Sequence, residues 1–202
     1  MSAAVFTYHH RRGRWEPDAR GRLAKVAMEL YAEQGFEQTT VAAIAARAGL
    51  TERTFFRHFA DKREVLFYGT EMLRDLLTGA VTDSPPSATA LDMVGAAFGA
   101  ACAMLQQNPD RARMRDAIVS ANADLREREL IKLAALAAAV AGALRARGIP
   151  DPAASLAAET GVAVFKIAFT RWVSESAQSD LPGIFRDSMA ALRGVLADRA
   201  AV

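Results

Sequence analysis

The stretch Ala48–Leu66, AGLTERTFFRHFADKREVL, constrains this chain more than any other. Within about two helical turns it places Phe55, Phe56 and Phe59 beside Arg53, Arg57 and His58. A buried helix rejects so many cations, and a solvated helix has no use for three phenylalanines. Both demands are met by a short helix with its apolar back pinned to a small core and its polar front turned outward. Thr51 is a good N-cap for it, and Gly49 supplies the turn from a preceding helix, VAAIAARA, that Thr40 caps. Two short helices joined in this way form a helix-turn-helix. Ile44, Ala45, Leu50 and Phe55 fall where the pair packs, and Phe55 and Phe59 belong to the core. Glu52, Arg53, Arg57 and His58 face outward, with Thr54 and Phe56 at the edge. Such a helix suits the major groove of DNA, which is wide enough to admit it.

The rest of the chain carries helical spacing and almost no strand alternation. An apolar stripe of Leu23, Val26, Ala27, Leu30 and Tyr31 marks a first helix that starts near Pro17 and stops at Gly35. Asp61, with Glu64 three residues later, predicts a fourth helix running from Lys62 to about Val81. TDSPPSAT reads as a linker. Helices are expected near 87–107, 110–121, 124–147, 152–178 and 182–199. The fold class is therefore all-α, with about nine helices: a helix-turn-helix three-helix DNA-binding domain at 16–66 and a larger ligand-binding and dimerisation domain at 67–202. Residues 1–15 read as a flexible basic arm containing HHRRGR.

Charge agrees with this division. Residues 1–70 hold 11 Lys/Arg against 8 Asp/Glu, a net +3, and the remainder holds 14 against 15, a net −1. The apolar share of 51% supports an ordinary core. The single cysteine, Cys102, cannot form an internal disulfide and fits a reducing compartment. No signal peptide is read, and the apolar runs Met93–Leu105 and Leu133–Leu144 fall short of the roughly 20 residues that span a bilayer. A cytoplasmic protein without membrane association is expected.

The segment Thr39–Leu66 resembles the DNA-binding domain of the TetR family of bacterial regulators. Thr40, Ile44-Ala45, Ala48-Gly49, Thr54, His58-Phe59, Lys62 and Leu66 match the family pattern. The resemblance implies a homodimer that binds double-stranded operator DNA and is released by a small-molecule effector. By position, Thr40, Thr54, His58 and Lys62 would contact phosphates, while Glu52 and Arg53 would meet base edges and Arg57 either, and Thr51 belongs to the same DNA-binding set. Phe56 stands where the family usually has a tyrosine, so an apolar contact with DNA replaces a hydroxyl. The pattern GRWEPDARGRL followed by TERTFFRHFADKREVLF also resembles an acyl-CoA-responsive, mycofactocin-regulator-like subgroup.

Met93, Phe98, Cys102, Leu105, Met114, Ile118, Phe165, Phe169 and Trp172 are the expected effector-pocket residues, because methionine and aromatic side chains adapt to apolar ligands. Phe169, Ile184, Phe185, Met189, Leu192 and Leu196 are expected at a dimer interface built as a four-helix bundle. DRARMR and LRERE either receive ligand phosphates or form solvated faces. Two other function classes stand beside the regulator: a ligand-independent DNA binder and a small helical enzyme. The sequence contains no G-x-S-x-G, P-loop or G-x-G-x-x-G stretch, and Cys102 has no paired histidine nearby in sequence. No cofactor, metal or catalytic residue is expected.

Overall fold

The computed structural model describes residues 18–175 and 179–197, so the basic arm expected at 1–15 lies outside the described residues. Among these residues nine α-helices follow one another: α1 (Ala19–Gln34), α2 (Val41–Arg47), α3 (Glu52–His58), α4 (Thr70–Thr82), α5 (Ala90–Gln106), α6 (Pro109–Ala121), α7 (Ala123–Ala146), α8 (Ala153–Ser174) and α9 (Leu181–Ala197). Several begin where side-chain chemistry dictates. Thr40 and Thr51 accept the backbone N–H groups of Ala43 and Thr54. Thr89 and Asp92 form a reciprocal capping box at α5. Pro109 occupies the first turn of α6, where a missing N–H costs nothing.

Helices α1–α3 close on one core that contains Leu23, Ala27, Tyr31, Ile44, Phe55 and Phe59. Helices α4, α5, α7, α8 and α9 close on a second, around Leu77, Val94, Phe98, Val140, Leu144 and Trp172. Helix α6 lies between them. Its Ile118 and Val119, with Leu125 of α7, complete the N-terminal core. The expected domain boundary after residue 66 falls inside a 3-10 turn, Glu64–Phe67, whose apolar side chains belong to that same core.

One expected element differs. Residues 62–82 do not form a single helix: the 3-10 turn ends at Phe67, and α4 starts at Thr70 after Gly69. Asp61 does cap this segment, accepting N–H bonds from Arg63 and Glu64. Glu64, however, does not complete a capping box. Its carboxylate is drawn away to Arg128 and Lys132 of α7. The linker TDSPPSAT spans 82–89 and joins α4 to α5 as expected.

Helix α8 is long and apolar enough, by length and composition, to cross a membrane, which the shorter runs in the sequence did not suggest. Its apolar character has a local use. Ala154, Ala157, Ala158, Gly161, Val162, Val164, Phe165, Ala168 and Trp172 are all buried against neighbouring helices. Gly161 is required there, because a Cβ at this position would lie 2.6 Å from the ring of Phe98.

Candidate nucleic-acid interface and ligand sites

The helix-turn-helix is built from contacts that leave one face of α3 free. Gly49, at φ +69°, reverses the chain after α2, and Leu50 N–H donates to Ala45 O at 2.8 Å. Phe55 is fully buried and meets Phe56 and Phe59 with ring centroids 5.5 Å away in each case. Thr51, Glu52, Arg53, Phe56 and Arg57 are left exposed, and Thr54 and His58 are half-buried. Phe56 is 55% exposed, a large apolar side chain presented to solvent between two arginines. Thr51 and Thr54 hydroxyls lie 3.0 Å apart, so Thr54 is held by the cap of its own helix. Thr40 occupies the start of α2 and is exposed.

His58 is held as a neutral ring. Burial, with Arg57 and Arg20 nearby, pushes its pKa below the usual 6.5, and its buried Nε2 makes no hydrogen bond.

Lys62 departs from its expected phosphate role. Its ammonium has three N–H donors, and it reaches three carbonyls: Phe36 O at 2.9 Å, Glu37 O at 3.1 Å and Thr39 O at 3.0 Å. It also lies 4.5 Å from the centre of the Phe36 ring. Tyr31 donates its hydroxyl to Lys62 O at 2.6 Å from the other side. Lys62 therefore fixes the loop between α1 and α2, and so the entry of Thr40. The sequence motif could not show this, because the carbonyls come from residues more than twenty positions earlier. Two supporting residues were also missed. Buried Thr39 donates to Gly35 O at 2.8 Å, and Arg47 pairs with Glu33 to tie α2 to α1.

The arginines of DRARMR and LRERE have a structural assignment. Arg115 donates to Leu66 O at 2.9 Å and to Glu129 at 2.7 Å, and lies 5.1 Å from the centre of the Phe67 ring. Arg128 and Lys132 hold Glu64 at 2.5 and 3.1 Å. Burial would raise the Glu64 pKa, but the hydrogen bonds from Arg128 and Lys132 outweigh it and hold the carboxyl below its ordinary value. Arg113 instead stacks 4.6 Å from the centre of Trp172. The helix-turn-helix unit is thus latched to α6 and α7 by charge as well as by apolar contact.

The expected pocket residues separate. Phe98, Phe165, Phe169 and Trp172 form one row with consecutive centroid distances of 5.9, 5.7 and 5.7 Å, and Met93, Cys102 and Leu105 pack in the same core. Burial pushes the Cys102 thiol up to about 12, so it is a packing residue. Met114 and Ile118 are elsewhere. Helix α6 turns them toward Tyr31 and Phe36, where they line a crevice of about 310 Å³ between α1 and α6.

The expected dimer residues also separate. Ile184, Phe185 and Met189 are buried within the single chain, and Phe169 and Leu192 pack partly against the same core. An apolar stripe on α9 reads the same in sequence whether it is covered by its own chain or by another. Leu196 is exposed. The outer face of the α8–α9 hairpin presents Leu156, Ala163 and Ile167 on α8 and Ala191 and Val195 on α9, with exposed Glu159, Lys166 and Asp187 at its margins. Leu156 and Ile167 are each 64% exposed, and Val195 68%.

A groove of about 570 Å³ opens between α5 and α9, lined by Gly95, Gly99, Phe185, Met189, Arg186 and Arg193 among others. Glycine is about 1 kcal/mol less favourable than alanine inside a helix. Packing gives no reason for either glycine here. A Cβ at Gly99 would have nothing within 4 Å, and one at Gly95 would meet only the tip of Met189 at 3.6 Å.

Residues 23–68 match the family profile described as bacterial regulatory proteins, tetR family. The chain is 37% identical over 81 residues to the HTH-type transcriptional regulator TcmR of Streptomyces glaucescens. That match covers 40% of this chain and spans only 36% of the relative's length. Among solved structures, the transcriptional regulator FadR of Bacillus subtilis, in complex with stearoyl-CoA, aligns at TM-score 0.62 and 19% identity. The alignment covers 85% of this chain and 96% of that one. FadR of Thermus thermophilus, a TetR-family transcriptional repressor in complex with lauroyl-CoA, aligns at 0.56 and 22%, covering 86% and 92%. These likenesses extend the shared all-α fold through the C-terminal half.

Proposed function

We propose, from the premise that residues 23–68 are a TetR-family DNA-binding domain, that this chain is a homodimeric transcriptional repressor. In this reading it binds a palindromic operator and leaves it when a largely apolar effector, of the acyl-CoA class, binds the C-terminal domain. The observation that carries DNA recognition is α3 itself, a helix pinned by Phe55 with Arg53, Phe56 and Arg57 exposed in front. Arg53 meets guanine edges, where arginine pairs with O6 and N7. Phe56 makes apolar contact with a thymine methyl or a sugar, and Thr40 and Thr51 meet phosphates beside helix N-termini. The acyl-CoA class is supported by the ligands of the two FadR structures, which share the fold at low identity.

The dimer is supported by the exposed apolar side chains of α8 and α9, Leu156, Ile167 and Val195. Two recognition helices related by a two-fold would reach major grooves about 34–36 Å apart. The partner DNA places the protein in the cytoplasm, and in this reading it is not an enzyme. Signalling passes through the latch. Effector-driven shifts of α6 and α7 reach the 3-10 turn through Arg115, Arg128 and Lys132, and thereby α3. Selection of sites from a random duplex library tests the reading. An enriched inverted repeat is expected, and recovery of no motif would overturn it. A tenfold loss of operator affinity on effector binding corresponds to a coupling of about 1.4 kcal/mol, and operator must weaken effector binding by the same factor.

A further inference from the structure

We propose that the groove between α5 and α9 binds a linear anionic amphiphile, with its chain laid along Gly95 and Gly99 and its charged head on Arg186. The two glycines are the first reason. Gly161 is explained by its contact with Phe98, whereas Gly95 and Gly99 leave open space beside bare α5 backbone. A groove that exposes helix backbone over an aromatic and methionine floor accepts a chain in close apolar contact. Phe185 and Met189 form that floor, and both are themselves buried, so it is firm. Asp92 to Gly99 spans about 10 Å of helix, enough to seat a medium-length acyl chain. The cavity of about 570 Å³ lies within the usual range of ligand sites.

Charge sets the class of the head group. Arg193 pairs with Asp92 at 2.6 Å and closes one end. Arg186 is exposed and has no hydrogen-bond or ion-pair partner among the described residues, so the groove carries one uncompensated cation. The site is also reachable in a dimer. At 100° per residue, Arg186, Ala190 and Arg193 lie on the side of α9 opposite Ser188, Ala191 and Val195. The groove therefore opens away from the apolar strip assigned to the partner copy.

Calorimetric titration of the full-length chain with dodecanoate and with lauroyl-CoA tests this site, using wild type, Gly99→Leu and Arg186→Glu. Wild type is expected to bind at least one probe. Gly99→Leu, whose Cβ meets nothing within 4 Å and whose remaining atoms fill the groove, should weaken binding at least tenfold with little change in melting temperature. Arg186→Glu, at an exposed position, should weaken it about tenfold and carries the test if Gly99→Leu disturbs folding. Binding of dodecanoate alone identifies a carboxylate head, and of lauroyl-CoA alone a phosphate-bearing one. Unchanged affinity in both variants, or no binding to wild type, overturns the site. Operator binding by the same variants without amphiphile should stay at the wild-type level, so failure of the groove and failure of DNA recognition are read separately.

Discussion

Arg53 and Lys62 sit nine residues apart in one motif, yet the structure gives them different work. Arg53 is exposed and makes no ion pair among the described residues, whereas Lys62 is bonded to three carbonyls. Arg53→Ala should leave the melting temperature unchanged, cost about 1–3 kcal/mol at the selected operator and relax preference at one base position. Equal weakening on selected and random DNA would show that Arg53 does not read bases. Lys62→Ala should lower stability by about 1–3 kcal/mol, because three carbonyls lose a charged donor, and a denaturant melt separates this from a pure loss of DNA affinity. His58 adds a pH dependence. Its depressed pKa means that the neutral form stabilises the free protein, fully above about 6.5 and less as pH falls through the lower folded value. A DNA phosphate beside the ring would favour the protonated form. Operator affinity should therefore rise as pH is lowered from about 7.5 to 5.5, and His58→Asn should flatten that rise in fluorescence anisotropy. An identical slope in both proteins would remove His58 from the phosphate contacts.

At the scale of elements, two glycines of one domain make opposite predictions. Gly161→Ala pushes a methyl group into Val94 and Phe98 and should destabilise the fold by about 1–3 kcal/mol. Gly99→Ala meets nothing and should stabilise it by about 1 kcal/mol. Thermal melts of the two variants check the pair, and equal shifts would mean that the helices relax around position 161. The starts of α2 and α3 were legible from the sequence, because Thr40 and Thr51 cap by their own hydroxyls. The break at Gly69 was not, because the Asp61–Glu64 spacing that announces a capping box carries no mark of the α7 cations that draw Glu64 away. The same limit applied to α9. Period 3.6 shows that Ile184, Phe185 and Met189 share a buried stripe, but not that α5 and α8 are what bury them.

For the whole molecule, the proposed assembly rests on the exposed apolar residues of α8 and α9. Ile167→Asp should fold, since the side chain is 64% exposed in the single chain. It should nevertheless sediment as a monomer at micromolar concentration, because an unpaired charge buried between copies costs several kcal/mol. A compact dimer in that variant would place the interface elsewhere. Phe185→Asp should instead prevent folding, since its ring is closed inside one chain.

The N-terminal core is finished by side chains from far along the sequence: Ile118, Val119 and Leu125. Its last turn is also gripped by Arg115, Arg128 and Lys132. The DNA reader is therefore not an interchangeable part. A regulator assembled by splicing these first seventy residues onto another sensor would inherit the operator preference, but it would lack the surface that completes the reader and the cations that report to it. Exchange between such proteins must carry both halves of the seam, and lineages that recombine at the linker after α4 would have to rebuild α6 and the start of α7 before the new sensor could be heard.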